Sequence, residues 1–163
     1  LAAPSRLSPA LVGLLSVVYL AGIYSSAWVG SLADRLGRRR VLKAVIMVML
    51  GGLLLTLFSP LALVLAGMLV FTFGFFGAHS VASSWIGRRA LRNKGQASAL
   101  YLFSYYLGSS LAGTLGGLFW HHYGWPGVGL FIAGLLLLAL LAALHLARVP
   151  ALPGQFAAAQ PAH

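Results

Sequence analysis

The sequence predicts an all-α membrane protein with five transmembrane helices. Only 7% of its 163 residues are charged and 60% are apolar, whereas an ordinary soluble domain carries about 25% charged residues. A spanning helix needs about 20 predominantly apolar residues, and the sequence contains five runs of roughly that length. These runs are longer than strands, and transmembrane barrels use alternating segments of only about 10 residues. The lipid bilayer is therefore the expected environment of the chain.

Breaks between the apolar runs set the bounds of the predicted helices. Pro9 opens the first run, Ser59-Pro60 separates the second from the third, and residues 121–126 form the turn before the fifth. The predicted spans cover about residues 9–31, 41–58, 61–87 and 96–120, with a fifth that extends to about residue 147. We divide the chain into an outer loop at residues 1–8, a transmembrane helix bundle at 9–148 and a disordered cytoplasmic tail at 149–163.

Lysine and arginine are concentrated on one side of the predicted bundle. If every run spans, Arg6 alone lies on the other side, and the positive-inside rule places the remaining basic residues in the cytoplasm. These residues are Arg35, Arg38, Arg39, Arg40, Lys43, Arg88, Arg89, Arg92, Lys94 and Arg148. Proteins that bind nucleic acid spread their basic residues over a solvated face or arm instead. We therefore expect no nucleic-acid partner, despite a net charge of +10.

The composition also excludes most enzyme mechanisms. Asp34 is the single acidic residue and the chain has no cysteine, so paired carboxylates and thiolate chemistry are both excluded. The sequence has no phosphate-binding loop with a Gly-Lys-Ser/Thr ending. His121 and His122 point to different sides of a helix and lack a third ligand nearby. We expect no enzyme activity, no cofactor and no metal site.

The segment between the first two spans carries the most specific motif. Residues 30–42 read GSLADRLGRRRVL; the two glycines suit a close helix approach and a tight turn, and the lone carboxylate of Asp34 must pair with arginine. This segment resembles the signature loop of the major facilitator superfamily at every defining position. The resemblance implies a cytoplasmic gate motif formed by Gly30, Leu32, Asp34, Arg35, Gly37, Arg38 and Arg39. The alternative is a solvated Asp34 in a loop that only sets orientation.

The resemblance also implies a place in the fold and a function. In the family the loop lies between helices two and three of twelve, and again between helices eight and nine. Four spans and a hydrophilic tail follow it here, which fits helices 8–12, the carboxyl-terminal half. The stretch at 96–117 and the Gly-Trp-Pro-Gly at 124–127 resemble bacterial drug:proton antiporter-type members.

Such a half implies secondary active transport of a small molecule across the bacterial inner membrane by alternating access, as efflux coupled to a proton gradient. Its partners would be the bilayer, a small-molecule substrate and the missing amino-terminal half. Because the chain starts with Leu1 and its first helix enters from outside, we expect a further segment upstream. The alternative is a non-transporting membrane scaffold or an inactive truncated fragment.

Two kinds of helix face suggest roles for the remaining candidates. Small residues that recur at intervals of four predict close helix packing: Gly22, Ser26 and Gly30 on the first helix, and Gly108, Ala112, Gly116, Ser109, Gly113 and Gly117 on the fourth. Polar and aromatic stripes are candidates for the substrate cavity: Tyr19, Thr72, Phe76, His79, Ser98, Tyr101 and Tyr105. The alternative for each stripe is hydrogen bonding to a neighbouring helix.

His79 is the only ionisable side chain well inside a predicted span, so it is a functional hypothesis. It could bind a polar substrate group, carry a proton, or stay neutral and bond to a neighbouring hydroxyl. Trp120, Tyr123 and Trp125 are typical of anchors at the membrane interface.

Overall fold

The computed structural model describes residues 9–90 and 92–148. Their regular secondary structure is entirely α-helical, which confirms the all-α prediction. The helices are α1 (Pro9–Leu36), α2 (Arg38–Leu55), α3 (Leu61–Arg89) and α4 (Lys94–Arg148). The predicted outer loop at 1–8 and tail at 149–163 lie outside the described residues.

Helix α4 consists of two arms that meet at Gly124. This glycine has φ 62° and ψ −154°, a conformation essentially restricted to glycine. The rings of Phe119 and Phe131 stack with centroids 4.9 Å apart, although twelve residues of uninterrupted helix would separate them by about 18 Å. The chain therefore folds back at Gly124, and the arms at 94–123 and 125–148 bring the described helical segments to five. The predicted turn over 121–126 is wrong in extent, because only Gly124 leaves the helical conformation.

The signature segment is also more helical than expected for a loop. Between α1 and α2 only Gly37 is non-helical, with φ 91° and ψ 131°. Its amide donates to the carbonyl of Ala33 at 3.1 Å, and its own carbonyl accepts from Val41 at 3.2 Å. A single glycine with positive φ thus ends one helix and starts the next.

Three helical stretches of the described chain are long and apolar enough to cross a membrane. They are Ser16–Leu36, Leu61–Arg89 and Lys94–Leu146, the last of which contains both arms of α4. Helix α2 has 18 residues and begins with three arginines, so its apolar part is shorter. With α2 and the two arms counted separately, the architecture is compatible with the predicted five helices.

Helix α3 packs against both α1 and α2. Val29 and Ala33 of α1, Val41 and Val45 of α2, and Val81 of α3 form one buried cluster. A second cluster joins α2 to the second arm of α4 through Met49, Leu53 and Leu136. The first arm of α4 is exposed along most of its length and meets α3 through a few aromatic side chains.

Glycines set the separation of α2 and α3. A Cβ atom on Gly52 would lie 2.6 Å from the backbone nitrogen of Phe71, and one on Gly67 would lie 2.6 Å from the carbonyl oxygen of Gly52. Gly74 approaches Met49 of α2 in the same way. Small residues give membrane helices this close contact, although the sequence patterns pointed to other glycines.

Candidate functional site

Asp34 joins three helix ends at the basic end of the bundle. It lies in the last turn of α1 and pairs with Arg38 in the first turn of α2. Arg88, near the end of α3, places its Nη2 atom 3.4 Å from Oδ1 of the same carboxylate. Asp34 therefore has two arginine partners, and both belong to this chain.

Aromatic and polar side chains of α3 and the first arm of α4 meet where these two segments come together. The hydroxyl of Tyr101 lies 2.9 Å from Nδ1 of His79. The imidazole also packs against the ring of Tyr105, with centroids 4.8 Å apart, and stacks on Phe75 at 6.4 Å. We call these four residues the His79 cluster.

The His79 cluster lines a cavity of about 400 Å³ between α2, α3 and both arms of α4. The other lining residues are aliphatic or methionine side chains: Leu42, Ile46, Met49, Ala78, Ala82, Leu136, Ala139, Ala142, Ala143 and Leu146. His79, Tyr101 and Tyr105 are the polar residues among those that line it. Predominantly apolar cavities with a few polar groups are typical of sites for small molecules.

Comparison with known proteins decides the family. Residues 2–162 match the sequence profile of the Major Facilitator Superfamily. The chain belongs to this superfamily. The resemblance carried by the signature segment is thereby confirmed.

Named relatives are also similar along most of the chain. The inner membrane transport protein YnfM of Escherichia coli K12 is 62% identical over 145 residues, which cover 89% of this chain and 35% of YnfM. The uncharacterized MFS-type transporter YybF of Bacillus subtilis 168 is 48% identical over 150 residues, 92% of this chain and 37% of YybF. This superfamily chain thus spans about a third of the length of these relatives. No solved structure matches it significantly.

The remaining cavity candidates of this superfamily member lie elsewhere. Thr72 lines a separate pocket of about 190 Å³ near Trp125, and Phe76 packs against Gly22 of α1. Tyr19 and Ser98 are exposed. Of the predicted stripes, the structure therefore brings together His79, Tyr101 and Tyr105.

Phe75 belongs to the same cluster, although the sequence patterns did not single it out. It lies four residues before His79 on α3, and residues at this spacing share a helix face. That spacing is the signal that could have identified it. The predicted stripe includes the adjacent Phe76 instead, and this side chain faces α1.

The predicted packing ridges differ in their surroundings. On α1, a Cβ atom on Gly30 would lie 3.3 Å from Oγ of Ser80, and that hydroxyl donates to the carbonyl of Ser26 at 2.9 Å. On α4, nothing in the described part of the chain lies within 4 Å of a Cβ built on any ridge glycine, namely Gly108, Gly113, Gly116 and Gly117. Ala112 beside them is half-buried.

Proposed function

We propose that this chain is the carboxyl-terminal half, helices 8–12, of a secondary transporter that exports a small molecule across the bacterial inner membrane. The main support for this proposal is the His79 cluster, which lines an apolar cavity. The chain also belongs to a superfamily of transporters, in which such a cavity is a candidate substrate site. The export is driven by a proton gradient through alternating access, in which two halves rock about a midplane site.

The lining of the cavity defines the substrate class. Aliphatic and aromatic side chains favour a small, largely apolar molecule, and the polar atoms of His79, Tyr101 and Tyr105 orient it through hydrogen bonds. His79 can also accept and release a proton, which makes it the coupling candidate within this half.

The amino-terminal half is the proposed partner of the exposed first arm of α4. A Cβ atom built on any ridge glycine of this arm would meet no other part of the described chain within 4 Å. Small residues let a second helix approach closely in a membrane. We assign this face to contact with the amino-terminal half rather than with lipid.

A resistance and uptake assay of the full-length protein tests the proposed function. The gene is expressed in a bacterial strain that lacks its major exporters and is profiled against a panel of small apolar compounds. Export should raise resistance to some of them, and a protonophore should abolish the effect. Normal membrane insertion without any change in resistance or uptake would favour a scaffold or an inactive fragment.

Ten lysine and arginine residues lie on one side of the predicted bundle and one lies on the other, and this distribution predicts the orientation of the chain. Because this segment has no cysteine, single cysteines can be introduced at Lys94 and at Tyr123, both of which are exposed. In intact cells an impermeant thiol reagent should label Tyr123→Cys and spare Lys94→Cys, with both labelled after lysis. The opposite pattern in intact cells would contradict a cytoplasmic basic end.

Replacing Asp34 by asparagine should weaken the proposed inner gate. Asn keeps the size of the side chain but loses the ion pairs that join the α1–α2 turn to the end of α3. A partly exposed ion pair contributes about 0.2–1 kcal/mol, so we expect up to a roughly five-fold shift toward the inward-facing state. Thiol accessibility of single-cysteine cavity positions in the full-length protein measures this shift.

A matched pair of arginine variants distinguishes the loss of an ion pair with Asp34 from the loss of a positive charge at the same end of the bundle. Arg88→Gln removes one partner of Asp34, whereas Arg92→Gln removes an exposed charge nearby. We expect the first variant to behave like Asp34→Asn and the second like the wild type. Equal behaviour of all three variants and the wild type would show that Asp34 has no part in the gate.

A further inference from the structure

An arginine-lined pocket lies at the basic end of the bundle, away from the His79 cluster. It measures about 320 Å³ and is lined by Leu36, Gly37, Arg38, Arg39, Arg40, Trp85 and Arg89. We call it the arginine pocket. Four of its seven lining residues carry a positive charge, and Trp85 and Arg89 are half-buried in its wall.

The chain cannot neutralise this charge with its own side chains. Asp34 is its single acidic residue, and its carboxylate is already occupied by Arg38 and Arg88. Bringing arginines together in a partly buried site is unfavourable unless an anion compensates them. The side chains of this sequence therefore supply no second carboxylate to the arginine pocket.

The local backbone favours an anion at the same position. The pocket includes the start of α2, where helix dipoles concentrate positive potential and basic side chains are unfavourable. The cap residue Gly37 offers no side-chain acceptor to the first amides of α2. The amino end of α2 and the arginine side chains therefore both raise the positive potential of the pocket.

We propose that the arginine pocket binds the phosphate group of an anionic membrane phospholipid. Phosphate oxygens match the fork of arginine donors, and basic clusters at the cytoplasmic ends of spanning helices attract anionic headgroups. The location favours lipid over a free ion, because Trp85 and Arg89 lie in the last turns of the membrane-spanning α3. Tryptophan is enriched at this headgroup level.

Native mass spectrometry of the full-length protein, titrated with phosphatidylglycerol, tests the proposal. Arg40→Gln and Arg89→Gln each remove one charge from the pocket, and each should weaken phosphatidylglycerol binding about five-fold. Arg92→Gln and Lys94→Gln are the controls, because they remove charges from the same end but outside the pocket. The controls should bind nearly as well as the wild type.

Two further arms identify the source of the phosphate. Phosphatidylcholine should bind more weakly than phosphatidylglycerol, and inorganic phosphate should not displace the bound lipid. Displacement by inorganic phosphate would overturn the lipid assignment, and equal losses in Arg92→Gln and Arg89→Gln would overturn the pocket in favour of diffuse surface charge. If Arg89→Gln fails to elute as a folded protein, the exposed Arg40→Gln and the charge-retaining Arg89→Lys decide the matter. Unchanged binding by Arg40→Gln together with wild-type binding by Arg89→Lys would then count against the site.

Discussion

Replacing Gly52 by alanine should destabilise the full-length protein by about 1–3 kcal/mol, the usual cost of overpacking. The added Cβ would lie 2.6 Å from the backbone nitrogen of Phe71 and 2.9 Å from the carbonyl oxygen of Gly67. Both atoms belong to the backbone of α3, so no side-chain rotation can relieve the contact. Helices α2 and α3 would have to move apart, and the buried contacts around Met49 and Leu53 would loosen.

The adjacent glycine provides a matched control. A Cβ atom on Gly51 has no neighbour within 4 Å in the described chain, and alanine is favoured over glycine in a helix by about 1 kcal/mol. Gly51→Ala should therefore leave stability unchanged or raise it, whereas Gly52→Ala lowers it. The temperature at which the detergent-purified protein loses its monodisperse elution peak measures both. Equal values for the two variants would refute the close α2–α3 contact.

The apolar runs and the helix-breaking residues between them are sufficient to predict the helical architecture. Runs of about 20 apolar residues locate spanning helices because the bilayer requires that length, and Pro60 marks the break before α3. The predicted turn over 121–126 is longer than the observed fold-back in α4, which depends on the positive φ of a single glycine, Gly124. The pattern of apolar residues does not indicate which residue adopts that conformation. The close contact of Gly52 with Gly67 was missed for a related reason. A regular interval identifies a ridge on one helix, whereas a contact depends on how two helices are rotated toward each other.

The same distinction applies to the candidate site. Helical spacing placed Tyr101 and Tyr105 on one face of α4 and His79 on a face of α3. Their contact depends on the crossing of the two helices, which no local pattern encodes. Asp34 was expected to pair with arginine because it is the lone acid, but its partner Arg88 lies 54 positions further along the chain. Single-helix patterns thus find the candidates, and only tertiary packing selects among them.

Removing the hydroxyl of Tyr101 or Tyr105 should weaken transport without affecting expression. The Tyr101 hydroxyl lies 2.9 Å from Nδ1 of His79, so Tyr101→Phe leaves the imidazole without that partner. In the proposed function these hydroxyls also bond to the substrate, and a polar group of the bound substrate that loses its partner costs about 1–3 kcal/mol. Apparent affinity should therefore fall roughly five- to a hundred-fold. Tyr106→Phe is the matched control, because this neighbouring tyrosine is 66% exposed. A loss in Tyr106→Phe equal to that in Tyr101→Phe would contradict the assignment.

His79→Gln separates substrate binding from proton carriage in the same assay. Glutamine keeps hydrogen-bonding capacity near Tyr101 but, unlike an imidazole, cannot take up and release a proton. If His79 couples export to the proton gradient, export by the variant should retain substrate affinity and lose its dependence on pH. If His79 binds substrate alone, affinity should fall while the pH profile is preserved. An unchanged rate, affinity and pH profile across His79→Gln, Tyr101→Phe and Tyr105→Phe would assign the His79 cluster to helix packing, because the contacts of these side chains would then serve only to join α3 to the first arm of α4.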